Sequence, residues 1–362
     1  MNARRRTKIE AVLAVIVTVT LALTAGVAGY REGRKAVAVP GHADGLKAVS
    51  VPESAAERAV PESYHAPVQI PVLCFHGIGT PSSVVGSVGY YNTTLANFKA
   101  EMAYLYTQGY ATITPQQYAN WQDGIRQLLP AKPILITFDD AFNSDTEATP
   151  VLNEYGFNAV MFVITGYANG DYGSQWASWN TIQAMASEGW MIQLHAGECG
   201  HAYMPYAPAS CQAGLHKSLV TPTHFQYYIW NFGQTDAQYR ARVVNDITVG
   251  EARIQTTLGF QAGWQSTVFA APFGAWGNGQ DPWLMSYWDR IFKTVFVQYI
   301  PASDQAVAHR DHVRYRLELG YGAQSADYLA SHIVNVAFTR AGAGSGVTSG
   351  ATVNGGVNSA SG

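Results

Sequence analysis

Charge is scarce in this chain: Asp, Glu, Lys and Arg make up 13% of its 362 residues and nearly cancel, to a formal net charge of −3. A surface that holds a polyanion needs a clustered positive field, so nucleic acid is not expected as a partner. No Gly-x-Gly-x-x-Gly or P-loop pattern occurs, which removes the usual backbone cradles for nucleotide phosphates. Internal repeats are absent too. Cysteine is scarce, with three copies, so the fold rests on its apolar core. Apolar residues are 48% of the chain, enough for one domain of about 250 residues with flanking segments. With so few charges, the surface must be rich in neutral polar and aromatic groups, drawn from 21 tyrosines and 9 tryptophans. Most of those rings belong in the core, but a fraction suits a cleft in which aromatic faces cover sugar rings.

The most telling segment is P-I-L-I-T-F-D-D at Pro133–Asp140. It brings two adjacent carboxylates, Asp139 and Asp140, to the end of an apolar strand, where the turn into a loop lets both reach one pocket. Desolvated carboxylates are costly unless a metal or cation compensates them. The plainer alternative is that Asp139 caps a following helix and Asp140 faces solvent. A second apolar run ends in W-M-I-Q-L-H-A-G-E-C-G-H at Trp190–His201. Its two imidazoles, His195 and His201, can converge if the intervening loop doubles back. Two histidines and an aspartate leave a position open for water, the pattern of catalytic metals. A third apolar strand stops at Pro272 and Gly274 in V-F-A-A-P-F-G.

In their order and spacing these elements resemble the polysaccharide deacetylase family, the NodB-homology carbohydrate esterases. The resemblance spans roughly Val68 to Leu319 and includes I-P-V-L-C-F-H at Ile70–His76. It is nearest to the branch acting on poly-N-acetylglucosamine. It implies Asp139 as catalytic base and Asp140, His195 and His201 as ligands of a divalent metal, with zinc the best fit and cobalt, nickel or iron tolerated. In V-R-Y-R-L-E-L at Val313–Leu319, alternation puts Arg314 and Arg316 on one face, and Arg316 is favoured as the arginine that orients Asp139. The alternative is an exposed edge-strand pair. The family's late leucine and histidine motif is not evident, which leaves His76, at a strand end, as the expected acid for the departing sugar nitrogen. Pro272, Phe273 and Gly274 are expected at the substrate, a backbone N–H near Phe273 serving the oxyanion. Trp276 and Tyr203 are expected to bind sugar, with Trp283 and Tyr206 further candidates. Two positions depart from the pattern: Ala141 stands where glycine usually follows T-F-D-D, and Ala196 where Ser or Thr usually follows the first histidine. The histidines are also spaced slightly wider than is common.

Basic residues at Arg4–Lys8, an apolar run from Ala11 to about Gly29, and Arg31, Arg34 and Lys35 suggest a membrane anchor. The run exceeds a typical signal-peptide core and meets the roughly 20 residues a span requires. Cleavage near Ala28 is the alternative, and in both cases the rest of the chain is exported. The expected organisation is an anchor or signal peptide at 1–30, a linker at 31–66, a catalytic domain at 67–340 and a disordered Gly/Ser-rich tail at 341–362. Cys74 lies in an apolar strand and reads as a small buried hydrophobe. Cys199 and Cys211 flank His201, and a disulfide between them would close the loop that carries it; Cys199 as a ligand in place of His201 is the rival.

Apolar strands alternating with helical patterns, with chemistry at successive strand ends, indicate an α/β fold with a parallel sheet or barrel. The resemblance narrows this to a distorted barrel of about seven parallel strands. The function expected is metal-dependent removal of N-acetyl groups from a cell-surface N-acetylglucosamine polymer. The alternatives are a deacetylase or esterase on peptidoglycan or acetylated xylan, and a sugar-binding barrel that has lost catalysis.

Overall fold

The computed structural model describes residues 62–63, 69–79, 92–170, 173–201, 209–216, 228, 232–274, 282–297, 313–320, 325–333 and 338–339. The anchor, the tail and all but two residues of the linker expected from the sequence lie outside them. The strands are β1 (Glu62–Ser63), β2 (Gln69–Ile70), β3 (Val72–Phe75), β4 (Ala111–Thr112), β5 (Leu129–Pro130), β6 (Pro133–Phe138), β7 (Val160–Ile164), β8 (Met191–Ala196), β9 (Val268–Ala270), β10 (Thr294–Val297), β11 (Val313–Tyr315), β12 (Leu317–Glu318) and β13 (Phe338–Thr339). The helices are α1 (Leu95–Thr107), α2 (Pro115–Gln122), α3 (Ala148–Tyr155), α4 (Trp179–Ser187), α5 (Ala209–Gln212), α6 (Asp236–Leu258), α7 (Pro282–Ile291) and α8 (Ala326–His332).

Parallel pairing runs β12–β3–β6–β7–β8 in one sheet and β11–β10–β9 in the other. The chain passes from one sheet to the other at Arg316, the single residue between β11 and β12. With β11 and β12 counted as one broken stave, the ring holds the seven parallel strands of the expected distorted barrel. Its other seam, between β8 and β9, has side chains where a ladder would be. Gln193 Oε1 accepts from the Thr267 and Val268 N–H groups at 2.7 and 3.1 Å, and Ser266 Oγ accepts from Leu194 N–H at 2.9 Å. These bonds satisfy backbone donors that an open edge would leave exposed.

Strand alternation fills the barrel. Val72, Leu135, Val160, Phe162, Val268, Ala270 and Phe296 form one buried cluster with Tyr118 and Trp121 of α2. The other strand faces meet the helices in a larger core that includes Phe75, Phe98, Phe138 and Trp190. Helix ends follow local chemistry. Thr94 caps α1, and at the start of α6 Thr235 and Gln238 form a reciprocal capping box. Gly259, with φ of +68°, ends α6 in a conformation that costs glycine little.

One buried group in α1 was not foreseen. Glu101 is fully buried beside Met102, and neither carboxylate oxygen has a hydrogen-bond partner among the described residues. Burial raises its pKa to about 8. Folded protein therefore keeps a proton that the unfolded chain releases near 4.5, so stability is full below that pH and falls as pH rises through about 8. Glu101→Gln should flatten this decline and be the more stable form at pH 9 by on the order of a few kcal/mol. Melting temperatures of both proteins from pH 5 to 9 check this; parallel profiles would show that Glu101 titrates normally.

Candidate active site

The site lies where β3, β6, β8 and β9 end and where Arg316 breaks the last stave. After the six buried residues of β6 the backbone turns sharply, with Asp140 at φ +73° and Ala141 at φ +57°. Left-handed backbone at two successive non-glycine residues costs about 1–2 kcal/mol each. It directs both carboxylates to the barrel mouth, and Asp139 and Asp140 are both buried. Neither is a solvent-facing cap.

Arg316 grips Asp139 in a two-pronged ion pair, Nη1 to Oδ1 at 2.5 Å and Nη2 to Oδ2 at 2.6 Å, while Nη1 also reaches Thr137 Oγ1 at 3.2 Å. The guanidinium lies over Phe162 and Phe296, 5.6 and 5.8 Å from the ring centres, inside the barrel. Arg314 is buried as well, so the arginines are not an exposed edge pair. Burial works against the Asp139 carboxylate, but Arg316, then His195 and His76, outweigh it and hold the group below the usual carboxylate range.

His195 Nε2 and His201 Nε2 each lie 3.2 Å from the same oxygen, Asp140 Oδ1. His195 Nδ1 is 2.8 Å from the Ala270 carbonyl, which only accepts, so Nδ1 carries a proton and Nε2 is the atom turned to the site. Burial opposes ionisation of Asp140, yet His201 and then His195 hold it far below its usual pKa. Burial lowers the His201 pKa to about 4, whereas Asp139 and Asp140 overcome burial and raise that of His195. Asp140 Oδ1 is in no hydrogen bond among the described residues, despite both contacts. Two imidazole nitrogens converging on one unbonded carboxylate oxygen is a donor set suited to a divalent cation.

His76, directly after β3, joins the same mouth: a ring nitrogen of His76, Cys74 Sγ and a carboxylate oxygen of Asp139 lie within 4.8 Å of one another. Cys74 is buried as expected, but its Sγ is 3.7 Å from Asp139 Oδ2, so it is more than an apolar filler. Pro272–Gly274 forms a short turn in which Phe273, at φ +60°, stacks on His201 with ring centres 4.2 Å apart and remains 40% exposed. Cys199 and Cys211 are joined by a disulfide with Cα atoms 5.5 Å apart, so Cys199 is not free to replace His201. Trp276, Tyr203 and Tyr206 lie outside the described residues. Trp283 stacks on Tyr287 and meets Tyr239 edge-on, packing α7 against α6. The sequence reading missed Glu318, mostly buried and close enough to His76, Arg316 and Asp139 to feel their charges. Its signal was the acidic end of the strand that carries Arg316.

Residues 127–280 match the family model for polysaccharide deacetylases. Over those residues the chain is similar to the polysaccharide deacetylases. YxkH of Bacillus subtilis, a relative whose name places it among the polysaccharide deacetylases, is 32% identical over 99 residues, 27% of this chain. The match spans only 33% of that relative's length. The de-N-acetylase of Aggregatibacter actinomycetemcomitans superimposes with a TM-score of 0.54 at 16% identity, covering 73% of this chain and 99% of its own. IcaB of Ammonifex degensii gives 0.52 at 20% identity, with 73% and 97% covered. At such identities the two structures establish the fold alone, a barrel of parallel strands.

Proposed function

We propose that this domain hydrolyses N-acetyl groups on a cell-surface N-acetylglucosamine polymer, using a divalent metal ion held by Asp140, His195 and His201. The observation that carries this is the convergence of both Nε2 atoms on Asp140 Oδ1, beside an Asp139 kept ionised by Arg316. The donor set suits zinc, with cobalt, nickel and iron also compatible. When bound, such an ion supplies a Lewis acid that polarises the acetamide carbonyl and acidifies a water.

The remaining chemistry belongs to the side chains. Asp139, ionised and held in place by two bonds from Arg316, takes the proton of the attacking water as general base. His76, on the same side as Asp139, protonates the departing sugar nitrogen. Backbone N–H groups of the Pro272–Gly274 turn donate to the oxyanion. The exposed part of Phe273 offers a sugar ring an apolar face, and Trp276 and Tyr203 are further sugar-binding candidates from the sequence.

The polymer is inferred from the nearness of the motifs to the poly-N-acetylglucosamine branch and from the fold shared with a protein described as a de-N-acetylase. We infer export from the apolar run between Ala11 and Gly29, with membrane attachment where that run is retained and secretion where it is cleaved. No helix among the described residues is long and apolar enough to cross a membrane. The Cys199–Cys211 bridge fits an oxidising compartment. The deciding experiment incubates the full chain with N-acetylglucosamine oligomers and with acetylated xylan, and counts acetate and free amine. Acetate matched by equimolar amine is expected; acetate from xylan alone would replace the amidase by an esterase.

A further inference from the structure

His195 and His201 are six residues apart, so their convergence depends on the loop between them. That loop lies against α6, which presents Asp246, Gly250 and Arg253 at i, i+4 and i+7, on one face. Asp246 is buried, and both of its oxygens are engaged. Oδ1 accepts from the Cys199 N–H at 2.8 Å; Oδ2 accepts from the Gly197 N–H at 3.1 Å and the Tyr228 hydroxyl at 2.6 Å. Arg253 Nε meets Glu198 Oε1 at 3.2 Å. Two glycines make the approach possible. A Cβ on Gly250 would lie 2.9 Å from Gly197 Cα, and a Cβ on Gly197 only 2.0 Å from the Asp246 carbonyl oxygen. Cys199 is thus fixed twice, through its side chain by the disulfide and through its N–H by Asp246.

We propose that Asp246 is a positioning residue for the candidate metal centre. Its carboxylate gathers the N–H groups of the turned-back loop and so fixes the path of the chain into His201. Charge-assisted bonds in a water-poor setting hold a loop more firmly than neutral ones. Ala196 has no side-chain polar atom to do so, and the glycines at 197 and 200 have none either. This inference rests on the reading of Asp140, His195 and His201 as metal ligands.

The test uses the full chain stripped of metal and titrated with Co²⁺. Affinity is measured by competition with a chromophoric chelator, coordination by visible absorption, and folding by near-ultraviolet circular dichroism. Wild type should bind one Co²⁺ at this centre. Asp246→Asn keeps the side chain's size but replaces one acceptor oxygen with a donor; it should bind about 10–100-fold more weakly, with shifted absorption bands. Equal affinity and identical bands in a folded Asp246→Asn protein would overturn the proposal and leave the metal centre standing. Absence of Co²⁺ binding in wild type would overturn the metal centre and this inference together. If Asp246→Asn does not fold, Tyr228→Phe decides, because it removes the hydroxyl that both donates to Asp246 Oδ2 at 2.6 Å and accepts from the Gly197 N–H at 3.3 Å, and so loosens the carboxylate's hold on the loop without removing the carboxylate. A weaker affinity, by up to about tenfold, the low end for a supporting residue, supports the proposal; unchanged affinity and bands overturn it.

Discussion

Asp139→Asn is expected to keep its metal and lose turnover by about 10²–10⁴-fold, the usual contribution of a general base. The amide matches the carboxylate in shape but cannot take a proton from water. It also leaves the Arg316 guanidinium, fully buried, without a counter-charge. Breaking a buried pair in this way costs up to about 3–5 kcal/mol, so the variant should melt earlier while remaining folded at room temperature. Metal analysis and initial rates on the same preparation separate the two effects. Loss of metal in proportion to activity would make Asp139 a ligand and remove it as the base. Because Arg316 holds the Asp139 pKa below the usual range, protonation of this group should not limit the wild-type rate at or above about pH 5. An acidic fall in activity above that pH then belongs to loss of metal as protons return to the histidines.

Asp140→Ala is expected to have the opposite signature. It removes the oxygen on which both imidazoles converge, so metal affinity should fall by more than about 100-fold, beyond the usual effect of a supporting residue. Turnover should fall with it and recover in part when metal is added in excess. Chelator competition on the purified variant measures this. Retained affinity with lost turnover would exchange the roles of the two aspartates.

That Asp139 and Asp140 reach one pocket was legible in the sequence because a strand end is a local feature, whereas their separate roles came from the family resemblance. Five apolar residues and one threonine, then two acids, mark a buried strand that ends in a pocket, and β6 runs from Pro133 to Phe138. Arg316 was legible through the family resemblance and its place before the acidic strand end, since alternation alone puts it on the same face as Arg314. The break in the stave was not: β11 and β12 pair with different sheets, and pairing partners are set by the whole fold rather than by the residues of one strand. The same holds for the β8–β9 seam, where Gln193 and Ser266 supply bonds that nothing in either segment announces. Glu101 escaped notice because a glutamate in an amphipathic helix ordinarily reads as surface. Asp246 lay hidden in a 23-residue helix, 47 residues from the N–H it holds. Its nearest local sign was Gly250, one turn on, where a glycine in a helix interior calls for a packing reason.

The most direct measurement is the metal content of the purified full chain, paired with acetate release from N-acetylglucosamine oligomers before and after chelation. One bound divalent ion per chain, activity abolished by chelator and restored by zinc or cobalt, is the expected outcome. Acetate release at an undiminished rate from metal-free protein would contradict it, since Asp140, His195 and His201 would then converge for some purpose other than holding the ion the chemistry needs.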